Sequence, residues 1–262
     1  MCEKIKEKTY LLDMDGTIYL GNELIDGALD FLNKIKEVGK NYIFLTNNAS
    51  RNKGDYIAKL RRLGIDSGED DIFTSGEATR FYLNDRNIKK IFLVGNSSLE
   101  KEFSNDGFDL VHERGRDIDA VVTSFDTETD YDKLWTACDY LMEGCEYIAT
   151  HPDFVCPLEG NKFMPDAGAF IAFFKAATGR EPMVIGKPEK PMLDAICAKF
   201  GARAQDFIMV GDRLYTDIAF GGKSGITSAL VLSGETDIEM YEKSPVHADY
   251  IFNSVKDMIP YI

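Results

Sequence analysis

The stretch Tyr10-Leu11-Leu12-Asp13-Met14-Asp15-Gly16-Thr17 constrains this chain more than any other. An apolar run drives into two aspartates one residue apart, and a Gly-Thr pair follows at once. The run reads as a buried parallel strand that frays into a loop at the aspartates. In open α/β sheets, ligands bind outside the carboxyl ends of the strands. Two carboxylates at that rim repel each other unless a cation lies between them. The stretch therefore points to a hard divalent ion with oxygen ligands, Mg²⁺ foremost. An Asp-Gly turn closing a strand is the plainer alternative.

The chain beyond it repeats the same grammar. Gly21-Asn22 between Ile18-Tyr19-Leu20 and Glu23-Leu24-Ile25 predicts a small hairpin. Ala28, Phe31, Leu32, Ile35 and Val38 then share one helix face, which Gly39 stops. The next strand, Tyr42-Ile43-Phe44-Leu45, ends in Thr46-Asn47-Asn48. Strand, helix, strand of this length is a right-handed βαβ unit. It delivers a hydroxyl and two amides to the edge that carries Asp13. As a lone feature, Thr-Asn-Asn could equally cap the following helix; beside Asp13 it becomes a site for phosphate oxygens.

From about residue 78 a second set of strands appears, at 91–94, 120–123 and 147–149, with amphipathic segments between them. This middle third reads as a compact α/β unit inserted into the first. Its last part carries His151-Pro152-Asp153-Phe154, then Met164-Pro165-Asp166-Ala167-Gly168, then a helix to Thr178 in which Phe170, Phe173 and Phe174 read as core. Asp166 is the residue there best able to accept a hydrogen bond from a substrate hydroxyl, and is equally suited to cap the helix. A turn at 179–182 returns the chain to Val184-Ile185-Gly186-Lys187-Pro188, which pins a lysine between Gly and Pro directly after an apolar pair. Phe207-Ile208-Met209-Val210 is the last clear core strand, and Gly211-Asp212-Arg213-Leu214-Tyr215-Thr216-Asp217 again brings two carboxylates to a strand's end. Asp217 also suits the first turn of a helix, where the macrodipole favours it.

At 262 residues the chain exceeds the usual single domain. Its net charge of −14 argues against a nucleic-acid surface or an anionic membrane, both of which need basic footprints. A small phosphorylated metabolite stays compatible, because it answers to the local field of a metal and a lysine. The five cysteines, Cys2, Cys138, Cys145, Cys156 and Cys197, include no C-x-x-C pair and read as free thiols in a reducing compartment. The first eight residues are charged and lack the apolar core of a signal peptide. A cytoplasmic location is expected.

DMDGT, LTNN, GKP and GDRLYTD, in that order, resemble the four motifs of the haloacid dehalogenase (HAD) superfamily of phosphotransferases. The inserted unit between the second and third motifs resembles a C2-type cap. TNNAS, TSGE and PDAG resemble the NagD and 4-nitrophenylphosphatase branch, which includes phosphoglycolate and pyridoxal phosphatases. The resemblance implies a doubly wound, parallel-sheet Rossmannoid core over 1–77 and 183–262, with an α/β cap over 78–182. It implies an Mg²⁺-dependent phosphatase of small phosphate monoesters such as sugar phosphates, nucleotides, phosphoglycolate or 4-nitrophenyl phosphate. Asp13 would be the nucleophile that becomes an aspartyl phosphate, and Asp15 the acid and base. Thr46, Asn47, Asn48 and Lys187 would hold the phosphoryl group, with Asp166 at the leaving group. Asp13, the Asp15 carbonyl and Asp212 would hold the metal, with Asp217 nearby. Homodimers through the cap are frequent in the branch.

Asp15 disfavours dehalogenases and phosphonatases, which lack that second aspartate. It also disfavours P-type ATPases, which carry Thr there and have long membrane segments. Phosphomutases keep both aspartates but usually carry their cap just after the first motif. The alternative outside enzymes is a non-catalytic phosphometabolite-binding or regulatory protein with a relic site.

Overall fold

A computed structural model describes residues 8–158 and 162–262; Cys2 and most of the charged N-terminal segment lie outside them. The chain divides into two compact units, one of residues 1–46, 53–73 and 187–262, the other of 47–52 and 74–186.

The first unit is built on a six-stranded sheet in the order Tyr250–Phe252, Thr227–Val231, Phe207–Gly211, Thr9–Leu12, Tyr42–Thr46, Ile72–Thr74. Every pairing from the first of these to Tyr42–Thr46 is parallel. Counting these strands along the chain gives the order 3-2-1-4-5-6, the doubly wound arrangement. Thr9–Leu12 is central, paired along both edges, and Tyr10, Leu11 and Leu12 are fully buried. Tyr10 and Leu12 pack with Phe31, Leu32 and Ile35 of the helix Ala28–Glu37 and with Val255 and Met258. The Tyr10 and Phe31 rings meet edge to face at 5.9 Å. Val38, expected on the buried helix face, is instead the exposed C-cap of that helix. The order reverses between Thr9–Leu12 and Phe207–Gly211, so the crevice lies where Asp13 and Asp212 leave their strands.

The second unit has its own five-stranded parallel sheet, in the order Met183–Val184, Glu146–Ala149, Ala120–Thr123, Lys90–Val94, Asp109–Leu110. Phe92, Val121, Tyr140, Leu141, Tyr147 and Phe174 form its core. Phe174 is fully buried in the helix Ala167–Thr178, whereas Phe173, also expected in the core, is exposed. The division differs from the expected 1–77, 78–182 and 183–262: residues 47–52, 74–77 and 183–186 belong to the second unit, and Met183–Val184 pairs with Ile148 and Ala149 rather than joining the first sheet. Before that helix lies an antiparallel pair of strands, Val155–Leu158 with Lys162–Pro165. Among the described residues no helix is long and apolar enough to cross a membrane. Cys138, Cys145, Cys156 and Cys197 are free thiols.

Candidate active site

Asp13 is the first residue beyond the central strand, and its amide still donates to Val210 O at 2.9 Å. The chain then turns tightly, with Met14 O accepting from the amides of Ile18 (2.9 Å) and Tyr19 (3.2 Å). Gly16 sits in that turn at φ +90°, a left-handed conformation that suits glycine. A Cβ there would lie 2.4 Å from Asp212 Oδ2, so the close approach also needs glycine. The turn leaves Asp15 exposed at the rim while Asp13 is half-buried.

Lys187 Nζ is buried and donates to Asp13 Oδ1 at 2.7 Å, Asp217 Oδ1 at 2.7 Å and Leu45 O at 3.1 Å. Burial works against the ammonium, but Asp13 and Asp217 outweigh it and hold the lysine above its ordinary value. Asp217 lies in a π-turn, Leu214–Ile218, fully buried, and its Oδ2 accepts from Arg213 N at 3.1 Å. Asp212 Oδ2 accepts from Glu235 N at 2.7 Å, and its Oδ1 lies 3.4 Å from the Thr17 hydroxyl. Gly234 closes the other side, because a Cβ there would fall 2.0 Å from Asp212 Oδ2. Thr46, buried, ends the strand next to Asp13's own.

One carboxylate oxygen each from Asp13, Asp212 and Asp217 lies within 4.8 Å of the others. Burial raises the Asp212 carboxyl above its ordinary value, and the charges of Asp13 and Asp217 add to the effect. Asp217 is raised too, by burial first, with Lys187 opposing. Three crowded acids faced by the Lys187 ammonium and the Arg213 guanidinium still carry an excess of negative charge, which a hard divalent ion with oxygen ligands fits. Although the residue reaches the rim, loss of solvent around its carboxyl raises Asp15, with Asp13 adding to it and Lys59 and Arg213 opposing. A carboxyl pushed upward is suited to carry a proton to a leaving group.

The first unit thus brings together Asp13, Asp15, Thr46, Lys187, Asp212 and Asp217. The other expected residues belong to the second unit. Asn47 Nδ2 donates to Asp153 at 3.2 and 3.4 Å. Asn48 Oδ1 accepts from Ser50 N and Oγ, and both asparagines belong to the second unit. Asp166 is buried there as the N-cap of its helix, its Oδ1 receiving Ala167 N at 2.6 Å and facing His151 Nε2 at 2.8 Å. This is the geometry of the helix cap, the other role that its place in the sequence suits. Thr17 closes the opening motif, whereas Gly234 and Glu235 lie outside the four motifs; their signal is the loop Ser233-Gly234-Glu235, which leaves a parallel strand at the same sheet edge as the aspartates.

The haloacid dehalogenase-like hydrolase family matches residues 10–109, and the HAD-hydrolase-like family matches residues 184–258. A 4-nitrophenylphosphatase from Thermotoga maritima superposes with a TM-score of 0.92 at 41% identity, covering 98% of both chains. Phosphoglycolate phosphatase 2 of Arabidopsis thaliana is 35% identical over 96% of this chain and 92% of its own length. 5'-Nucleotidase YutF of Bacillus subtilis (strain 168) is 30% identical over 97% and 98% respectively. The chain belongs to the haloacid dehalogenase-like hydrolases. Within them it falls in the NagD and 4-nitrophenylphosphatase branch, and it is a phosphoric monoester hydrolase of that type.

Proposed function

We propose that this enzyme is an Mg²⁺-dependent phosphatase of small phosphorylated metabolites that works through an aspartyl phosphate on Asp13. The carrying observation is the placement of Asp13 at the switch point, one carboxylate oxygen bonded to the buried Lys187 and the Asp212 and Asp217 carboxylates alongside. That bond orients the carboxylate, and the ammonium offsets repulsion between it and an incoming phosphate. The free Asp13 oxygen bonds to phosphorus as the ester P–O bond breaks, and the leaving alkoxide takes the proton from Asp15. Asp15 then accepts a proton from water as the water oxygen attacks phosphorus, which releases Asp13 and inorganic phosphate. Splitting one displacement into two in this way is the gain from a carboxylate nucleophile. Thr46 and Lys187 donate to the phosphoryl oxygens, whose charge dominates such transition states. Asp13, Asp212 and the Asp15 carbonyl, with Asp217 alongside, would hold Mg²⁺, which would supply the remaining positive charge.

The similar proteins named for phosphoglycolate, nucleotide and 4-nitrophenyl phosphate support small phosphate monoesters as the substrate class. A cytoplasmic location fits that class. A dimer through the second unit is part of the same reading, supported by exposed Tyr131, Trp135 and Met142 on the helix Tyr131–Glu143. Light scattering giving twice the monomer mass tests it. For the activity, 4-nitrophenyl phosphate and a panel of phosphorylated metabolites are incubated with Mg²⁺ and with excess chelator. Phosphate release with metal and none with chelator is expected. Release from no ester under any metal would leave only a binding protein.

A further inference from the structure

The second unit holds a buried polar network that this reaction does not use directly. His151 is fully buried. Its Nδ1 lies 2.8 Å from Thr150 Oγ1 and 3.5 Å from Ser75 Oγ, and its Nε2 lies 2.8 Å from Asp166 Oδ1. Thr150 Oγ1 also bonds Ser124 Oγ at 2.9 Å. Two segments of the same unit lock onto this cluster. Asn47 O accepts from Ser75 Oγ at 2.5 Å, while Asn47 Nδ2 spans both Asp153 oxygens. Gly186 N donates to Thr150 O at 2.8 Å. A Cβ on Gly186 would fall 2.6 Å from Thr150 O, 2.7 Å from Asn47 Oδ1 and 3.0 Å from His151 Cβ. Asn47 and Gly186 are therefore packed on the loop that carries His151. In the chain, Asn47 directly follows Thr46, and Gly186 directly precedes Lys187.

We propose that His151 and Asp166 are a buried pair of positioning residues for the phosphatase reaction, holding Asn47 and Gly186 and through them the backbone of Thr46 and Lys187. The inference rests on the phosphatase reading above. Asp166 anchors the pair from outside the loop, because the same oxygen that faces His151 caps the helix Ala167–Thr178. Gly168 N donating to Asp153 O at 2.8 Å, and Asp166 N to Phe154 O at 3.0 Å, fasten the loop to that helix start. Every atom in the chain of contacts is buried or backbone, so a shift at His151 has no slack to absorb it. Burial opposes protonation of the ring, but the Asp166 and Asp153 carboxylates outweigh it and raise His151 above an ordinary histidine. Misplacing a reacting group by about 1 Å can cost ~10²-fold in rate. Thr46 and Lys187 act on the phosphoryl group, which all substrates share. Loosening the pair should therefore lower kcat equally for good and poor leaving groups and leave KM nearly unchanged. A residue that touches the leaving group would discriminate between them, and a merely structural one would lower stability without lowering the kcat of folded enzyme.

The test compares wild type with Asp166→Ala, Asp166→Asn and Ser75→Ala on 4-nitrophenyl phosphate and on an alkyl phosphate. All are assayed well below their melting temperatures, with the folded fraction set by circular dichroism. Asp166→Ala should lose roughly 10–100-fold in kcat on both esters. Asp166→Asn, whose side-chain oxygen still accepts from Ala167 N and His151, should recover most of that loss. Ser75→Ala, which cuts the link to Asn47 without touching the helix cap, should lose about 3–10-fold on both. It also carries the test if Asp166→Ala does not fold. Folded Ser75→Ala and Asp166 variants with kcat within about twofold of wild type would overturn the proposal. So would losses confined to one ester. A wild type inactive on both esters would instead reject the phosphatase reading itself.

Discussion

Replacing Lys187 by Met keeps the side-chain length and deletes Nζ, the atom that joins Asp13, Asp217 and Leu45 O. Removing one partner of a buried ion pair costs about 3–5 kcal/mol, because the other charge is left in a poor solvent. Here the cost depends on pH. Asp217, fully buried, is raised by burial while Lys187 pulls it down. Without Lys187 its main downward influence is gone and only the weaker pull of Arg213 remains, so the carboxyl takes up a proton more readily. A group whose folded pKa lies above its unfolded value adds stability below the unfolded value and loses it as pH rises through the folded one. In the variant, Asp217 therefore becomes more destabilising as pH climbs from the ordinary carboxylate range, about 4, toward neutrality and beyond. Lys187 in the wild type is itself raised, so its contribution is complete throughout that window and fades only above about 10.4, the ordinary lysine value. Urea unfolding of the metal-free proteins by far-ultraviolet circular dichroism should then show a deficit of about 3–5 kcal/mol at pH 8 that narrows toward pH 5. Turnover of 4-nitrophenyl phosphate should fall by roughly 10²–10³ or more, the usual cost of one charge-stabilising donor. A deficit below about 1 kcal/mol at pH 8, or one of equal size at both pH values, would refute the buried ammonium as the keystone of this site.

Asp13→Asn should abolish phosphate release while the circular dichroism spectrum and melting temperature stay near wild type, since an amide cannot form the acyl phosphate. Ca²⁺ in place of Mg²⁺ should inhibit, because it takes more ligands at longer bonds; equal steady-state rates with the two ions would contradict an Mg²⁺-fitted site. Gly234→Ala should push the Asp212 carboxylate aside, since the new Cβ would sit 2.0 Å from its Oδ2. Its apparent Mg²⁺ affinity, from activity titrations, should weaken by about 10–100-fold, whereas Gly222→Ala, whose Cβ would meet nothing within 4 Å, should leave it unchanged.

The site was legible in the sequence because each core strand is an apolar run that ends abruptly in a residue with chemistry. Leu12 gives way to Asp13, Leu45 to Thr46, and Gly211 to Asp212, so the sheet edge is written in the punctuation. Other features follow from contacts that no local pattern encodes. Met183–Val184 is too short to show a strand period, and only its pairing with Glu146–Ala149 assigns it to the second sheet. The hairpin Val155–Leu158 with Lys162–Pro165 carries a proline in each strand, which reads as loop because proline is confined to edges and strand ends. Phe173 and Phe174 are indistinguishable by composition, and only the helix's orientation on Tyr147 buries the second and leaves the first outside. Asp166 could serve a cap or a substrate equally well by sequence; its partner His151 lies fifteen residues away, across the hairpin.

The two units use one architecture to opposite ends. In each, parallel strands run their carboxyl ends toward a row of polar residues. In the first unit those residues are acids in excess, Asp13, Asp212 and Asp217 against Lys187 and Arg213, and an excess of one charge stays open to a cation and to the phosphoryl oxygens it attracts. In the second, the residues that follow the strands are Ser124, Thr150, His151 and Gly186, and their donors and acceptors largely satisfy one another. Buried groups that are already paired gain little by binding a ligand, whereas unbalanced ones gain a great deal. The net charge of −14 does not bear on either outcome, since at physiological salt it is screened beyond about 8 Å. What separates a reactive sheet edge from a structural one in this chain is whether the local charges balance.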